Sequence, residues 1–133
     1  MIAFDTNLIV RAILGDNARQ AAAVEREIKN AVRRGSPIFL SDIVLCELVW
    51  VLGRSARLAR AIIAAKLADL LATELNTVTD EEAVGRAIEA YRTGKGDFAD
   101  YLLRERALAA GATEVLTFDS ALRGEAGFRV LAT

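Results

Sequence analysis

Five acidic residues stand where a chain of alternating strands and helices could put them to chemical use: Asp5, Glu47, Asp97, Asp100 and Asp119. Asp5 follows the apolar run Ile2-Ala3-Phe4, and Asp119 closes the run Glu114-Val115-Leu116-Thr117-Phe118. Their contexts match, Phe4-Asp5-Thr6 and Phe118-Asp119-Ser120, each a carboxylate after a strand-like run and before a hydroxyl residue. An aspartate in that place is also a good turn or cap residue. Either one alone reads as structural; two in matching contexts shift the weight toward chemistry. Glu47 lies inside Ile43–Leu52, with Ile43, Val44, Trp50 and Val51 three and four residues away, so helical spacing sets it on an apolar stripe. An unpaired carboxylate is costly to bury. Glu47 is therefore expected either to meet a buried Arg or Lys or to point into a cation site. Asp97 and Asp100 share the first turn of a helix, a place that capping and the helix dipole also favour for acids.

The chemistry such a set could perform is narrow. Two like charges about 4 Å apart repel by about 1 kcal/mol in water and by about 4 kcal/mol at an effective dielectric of ~20. Convergence of Asp5, Glu47, Asp100 and Asp119 would therefore demand a cation or protonation. All-oxygen ligands suit Mg²⁺ or Mn²⁺, ions that activate water and stabilise an in-line displacement at phosphorus. The 133 residues include no histidine, which excludes Ser-His-Asp and Cys-His nucleophilic catalysis and histidine general bases. The single cysteine, Cys46, excludes an internal disulfide and a cysteine-built zinc site, and reads as a small buried hydrophobe. A net charge of −1 provides no global positive field for nucleic acid. Local basic groups remain at Arg33-Arg34, at Arg54, Arg57 and Arg60, and at Lys95, which adjoins the Asp97 helix start and is the best candidate for a substrate phosphate.

Those acids need elements to hold them. The patterning predicts strands at 2–4, 37–40, 75–78, 114–118 and 128–131. It predicts a short helix capped by Asn7 and ending at Gly15, and a longer one opened by Asp16 or Asn17 and closed by Gly35. Further helices are expected from Ser41 or Asp42 to Gly53, from Arg57 to Ala72, from Asp80 to Arg92 and from Asp97 to Gly111. Alternation of this kind indicates an α/β domain over residues 1–133 with a mainly parallel sheet of four to five short strands. Ligands bind such sheets beyond the C-terminal strand ends, where Asp5 and Asp119 stand. With 53% apolar residues the chain can build a core. No apolar run is long enough for a membrane span, and the N-terminus lacks a signal-peptide pattern, so a cytoplasmic location is expected. Residues 43–71 are rich in apolar side chains, Leu48, Trp50, Ile62, Ile63 and Leu67 among them. That excess predicts a protein–protein surface, with Trp50 in the core or the interface.

The motifs resemble those of the PIN-domain nucleases. Phe4-Asp5-Thr6-Asn7-Leu8-Ile9 resembles that family's Asp-Thr-Asn opening, and Glu47 sits in the helix after the second strand as its acidic helix residue does. Asp97-Phe98-Ala99-Asp100-Tyr101-Leu102-Leu103 resembles its acidic helix-start motif, and Thr117-Phe118-Asp119 its final acidic motif. Order and spacing cover essentially the whole chain, and the compact length is similar to VapC toxins of toxin–antitoxin pairs. The resemblance implies a three-layer α/β/α fold and a Mg²⁺- or Mn²⁺-dependent endoribonuclease. It also implies a homodimer held by an antitoxin. Asp5, Glu47, Asp100 and Asp119 match the acidic quartet, with Asp5, Asp100 and Asp119 as metal ligands. Thr6, Asn7 and Thr117 match supporting positions, and Asp97 is an additional acid that leaves the choice between itself and Asp100 open.

Three other readings compete. A phosphoacceptor receiver domain would need an acidic pair after the first strand and a lysine after a late one; only Asp5 follows the first strand, and no lysine follows the strand before Asp119. A catalytically silent PIN-like binding module and an RNA-processing PIN nuclease without an antitoxin share the motifs.

Overall fold

Phe4 directly follows the first strand, and Asp5 turns the chain into a helix. In the computed structural model, which describes residues 1–133, β1 (Ile2–Ala3) passes at once into α1 (Thr6–Leu14). Asp5 is the N-cap, its carboxylate accepting the Thr6 N–H at 2.8 Å. Asn7, the expected cap, falls inside the first turn instead, because the acid two residues earlier already satisfies that helix end. Gly15, left-handed at φ 62°, closes α1. Asn17 caps α2 (Ala18–Arg34) through the Gln20 N–H.

The chain divides into two compact units, Met1–Glu81 and Glu82–Thr133. In the first, β2 (Ile38–Phe39) pairs in parallel with β1 and with β3 (Asn76–Thr77), giving the order β1-β2-β3. Helix α3 (Asp42–Arg54) follows β2, and α4 (Arg60–Ala72) precedes β3. Ser41 caps α3, its hydroxyl accepting the Val44 N–H. Gly53 does not end this helix; the Ser55 and Ala56 N–H groups both reach the Val51 carbonyl and carry it to Arg54. Helix α4 begins three residues later than expected because Arg57 is left-handed at φ 55°, a conformation that cannot start a right-handed helix. The core is formed by Phe4, Ile9, Val10, Ile38, Leu40, Leu45, Leu48, Leu52, Ile63 and Leu67. The first strand is not buried along its length: Ile2 and Ala3 are exposed and only Phe4 is inside.

The second unit holds α5 (Glu81–Thr93), α6 (Phe98–Ala109), β4 (Val115–Thr117), a single 3₁₀ turn at Ser120–Leu122 and β5 (Phe128–Val130). Asp80, expected to cap α5, is left-handed at φ 51° and precedes it. β4 and β5 pair in parallel in register Val115–Phe128, Leu116–Arg129 and Thr117–Val130. The five strands thus form two parallel ladders, of three and of two, where one sheet was expected. Strands of two or three residues carry few ladder hydrogen bonds, so helix packing sets their grouping more than strand pattern does. The core of this unit is aromatic: Tyr91 meets Phe98 edge-on at 6.2 Å, and Tyr101 meets Phe128 at 6.1 Å. No helix of the chain is long and apolar enough to cross a membrane.

The connection between α5 and α6, Thr93-Gly94-Lys95-Gly96, is packed against this core. A Cβ on Gly94 would stand 2.0 Å from the Tyr101 hydroxyl and 2.7 Å from the Ala90 carbonyl oxygen. Tyr101 is fully buried, so neither atom can yield. Gly94→Ala is expected to destabilise the chain by about 2 kcal/mol through overpacking, read as a lower urea midpoint at unchanged slope.

Candidate functional site

In the first unit two of the expected acids are brought together through one threonine. Asp5 leaves the C-terminal end of β1, which is held beside β2 by the Phe4 N–H bonded to the Phe39 carbonyl at 3.2 Å. Thr6 is buried; its N–H is taken by Asp5 and its hydroxyl donates to Glu47 Oε2 at 3.3 Å. Thr6 therefore orients two carboxylates that are far apart in sequence, and both carboxylates remain exposed, as does Asn7. Each sits at a position set by rigid elements, a strand end and the middle of a helix.

The surroundings of Glu47 differ from expectation. Helix α3 buries Val44, Leu45, Leu48 and Leu52, and it presents Ile43 (70% exposed), Glu47 and Trp50 (61% exposed) on its outer side. The Arg54 guanidinium lies 5.8 Å over the Trp50 ring. Glu47 is thus neither buried nor ion-paired. A helix apolar on nearly every side has little periodic contrast, so spacing alone could not choose its inward face. Trp50 is accordingly a surface residue and not core. Cys46 on the same helix is half-buried, and burial, with the Asp42 charge adding, pushes its thiol pKa up. Most of the apolar excess in 43–71 is core or half-buried, with Ile43, Trp50 and Ile62 left outside.

In the second unit Asp97 is the N-cap of α6, and Asp100 accepts the Asp97 N–H at 2.9 Å. Asp119 follows β4; its N–H donates to the Thr117 hydroxyl at 3.0 Å and its carboxylate accepts the Ala121 N–H at 2.9 Å. Thr117 thus holds the Asp119 backbone through its hydroxyl. Burial, augmented by the charges of Asp97 and Asp119, raises the Asp100 pKa, while the hydrogen bond from the Asp97 backbone opposes the rise. Asp100 therefore feels the charge of both other acids. Lys95 is exposed just ahead of them.

An acid whose folded pKa is raised binds its proton more tightly in the folded state, so stability is lost as pH rises from the unfolded value through the folded one. Asp100→Asn, whose amide oxygen can still accept the Asp97 N–H, is expected to stabilise the metal-free chain at pH 7. The gain should be about 0.5 kcal/mol once screening by solvent is discounted. It should vanish below the ordinary aspartate range. Thermal melts at pH 7 and pH 3 measure it.

Sequence reasoning missed Tyr101 and Glu125. The Tyr101 hydroxyl donates to Glu125 Oε1 at 2.9 Å and accepts the Gly96 N–H at 3.0 Å, and the same Glu125 oxygen accepts the Lys95 N–H at 3.0 Å. The Lys95 N–H first, then the Tyr101 hydroxyl and the charges of Arg104 and Lys95, hold the Glu125 carboxyl below its usual range. Their only sequence signal was a tyrosine beside Asp100 and a glycine-flanked lysine. Sequence reasoning also missed Glu105, buried among arginines.

No three Asp or Glu side chains stand together in a group that could hold a metal. The donor chemistry nevertheless fits a hard divalent cation. Asp5, Glu47, Asp97, Asp100 and Asp119 offer only oxygens, and none is ion-paired; the acids in ion pairs include Asp16, Glu25, Glu89, Glu105 and Glu114. A cavity of about 440 Å³ in the first unit, lined by Phe4, Ile9, Ile28, Ile38 and Leu70, includes none of these five acids and is apolar.

The PIN-domain profile matches residues 2–125. The chain belongs to the PIN-domain family. That match begins before Asp5 and extends past Asp119, so it takes in all five acids and reaches into both compact units. Neither the curated proteins nor the solved structures provide a significant match.

Proposed function

We propose that this PIN-domain chain is a Mg²⁺- or Mn²⁺-dependent endoribonuclease that hydrolyses RNA phosphodiester bonds. Asp5, Glu47, Asp100 and Asp119 are its reactive acids. The observation that carries the reading is the Asp5–Thr6–Glu47 linkage, in which one buried threonine orients two exposed carboxylates that have no basic partner. Two exposed acids oriented in this way and left without a basic partner are suited to holding a cation against an anionic substrate.

The candidate cation ligands are Asp5 in the first unit and, in the second, Asp100 and Asp119, with Asp97 assisting Asp100. When bound, the ion supplies Lewis-acid stabilisation of charge growing on the phosphoryl oxygens and lowers the pKa of water. Glu47, held by Thr6, orients the attacking water and receives hydrogen bonds from it. The Ala121 N–H orients the Asp119 carboxylate, and the Thr117 hydroxyl holds the Asp119 backbone N–H. Asn7, exposed in the first turn of α1, offers its amide to the substrate backbone, and the Lys95 ammonium attracts a flanking phosphate. The products are a 5′-phosphate and a 3′-hydroxyl. Single-stranded or looped RNA is the substrate class, because its backbone can enter a cleft.

Within the family the reading extends to a VapC-type toxin, a cytoplasmic homodimer whose activity is checked by an antitoxin. Exposed Ile43, Trp50 and Ile62 support a protein-binding surface on the first unit. Incubation of the purified chain with total RNA, with Mg²⁺, Mn²⁺ or EDTA, tests the nuclease. Cleavage that requires the metal supports it. Absence of cleavage by the folded, antitoxin-free chain favours a catalytically silent binding module.

A further inference from the structure

We infer that Tyr101 and Glu125 form a clamp that positions the Asp97–Asp100 pair for reaction, an inference that rests on the nuclease reading above. Three successive backbone N–H groups lead into α6, and each is taken by a side chain. Glu125 takes that of Lys95, the Tyr101 hydroxyl that of Gly96, and Asp100 that of Asp97. The third bond ties the acid to the helix it starts. The first two tie the incoming strand of chain to a tyrosine one residue beyond Asp100 and to a glutamate on the segment after Asp119.

The clamp is built tightly. Tyr101 is fully buried, edge-on to Phe128, with the Arg104 guanidinium 5.2 Å from its ring centre. A Cβ on Gly96 would stand 2.5 Å from Leu122 Cδ2, 3.2 Å from the Tyr101 hydroxyl and 3.3 Å from Asp100 Oδ2. The backbone therefore approaches the tyrosine and the acid as closely as a glycine permits. Capping alone sets Asp97 and Asp100 relative to α6. The clamp adds the direction from which the loop enters, and with it the position of the Lys95 backbone. Tyr101 has no exposed surface with which to touch a substrate, so its part is to position. Glu125 is half-buried, and its Oε1 is engaged by both the Lys95 N–H and the Tyr101 hydroxyl.

The test uses the full chain with Glu125→Ala, Glu125→Gln and Tyr101→Phe. Three quantities are read: amide hydrogen exchange in the metal-free protein, Mn²⁺ affinity by calorimetry, and kcat and KM on RNA. In Glu125→Ala, exchange at Lys95, Gly96 and Asp97 is expected to quicken about tenfold, as for one lost charge-assisted bond. Exchange within Leu102–Glu105 should be unchanged. The Mn²⁺ dissociation constant should rise about tenfold and kcat fall by a similar factor, with KM for RNA within about twofold. Glu125→Gln keeps an acceptor oxygen and should restore most of each loss. Tyr101→Phe should act in the same direction. The clamp is overturned if Glu125→Ala leaves loop exchange and Mn²⁺ affinity unchanged in an active chain. It is equally overturned if exchange quickens uniformly through α6, or if Gln does no better than Ala. A wild type that neither binds Mn²⁺ nor cuts RNA overturns the nuclease reading itself, and the positioning role with it.

Discussion

Asp5→Asn is expected to lower metal-dependent RNA cleavage by at least about 100-fold, the loss of several kcal/mol of charge stabilisation in the transition state. The fold should stay within about 0.5 kcal/mol of the wild type. Both halves follow from the double duty of this side chain. As a cap, Asp5 accepts the Thr6 N–H at 2.8 Å. Asparagine caps helices as well as aspartate does, so its amide oxygen preserves that bond and the Thr6 hydroxyl can still reach Glu47. As a cation ligand, Asp5 contributes a full negative charge, and the amide does not. Asp5→Ala separates the roles differently, losing the cap, at about 1 kcal/mol, along with the charge. The measurement is a time course of total-RNA cleavage in Mg²⁺ and in Mn²⁺, beside a urea titration of each variant. Wild-type cleavage by a folded Asp5→Asn chain would remove Asp5 from the reaction and leave it a cap. Unfolding of Asp5→Asn would show that its charge is structural.

The second large effect concerns stability and lies away from the proposed acids. Glu105→Ala is expected to cost about 3 kcal/mol, the lower part of the range for breaking a buried ion pair. Glu105 is 8% exposed and is held by the Arg86 Nε and, at 3.4 Å, by the Arg104 Nε. Removing the carboxylate takes the ion-pair partner from Arg104, itself 12% exposed, and leaves it only the weaker attraction of Glu125. Arg104 cannot easily swing into water. It donates to the Ala126 carbonyl at 3.0 Å, lies over the Tyr101 and Phe128 rings, and passes where a Cβ on Gly127 would meet its Cδ at 2.6 Å. The lower end of the range applies because Arg86 is more than half exposed and recovers its hydration. A chain of this length should lose roughly 10 °C in melting temperature. Glu105→Gln, which keeps an acceptor for either arginine, should recover part of that loss. A change under about 1 kcal/mol in Glu105→Ala would mean that the arginines find water without it.

Much of the outline was legible in the sequence. Strand-like runs ended by Asp5 and Asp119, caps at Asn17 and Asp97, and stops at Gly15 and Gly35 all read from local chemistry. Each depends on a few neighbouring residues and on hydrogen bonds the chain makes with itself nearby. The boundaries that shifted were the start of α4, where Arg57 is left-handed, and the end of α3, which runs past Gly53 to Arg54. Arg57 does not announce its conformation by residue type.

By itself, then, the sequence determined what kind of chemistry was available. With no histidine and one cysteine, only acids remained, and those acids lay in an order that resembles the PIN-domain family. Only the tertiary structure decided which partners they meet. Thr6 and Glu47 are joined by a hydrogen bond across 41 residues of sequence. The outward face of α3 was set by packing of Leu45, Leu48 and Leu52 against the core, a choice that a uniformly apolar helix does not encode. The grouping of five strands into ladders of three and two, and the closure of Tyr101 and Glu125 on the loop before α6, are long-range outcomes of the same kind. Local propensity is written residue by residue, whereas side-chain partnership is settled only when distant elements compete for the same buried space.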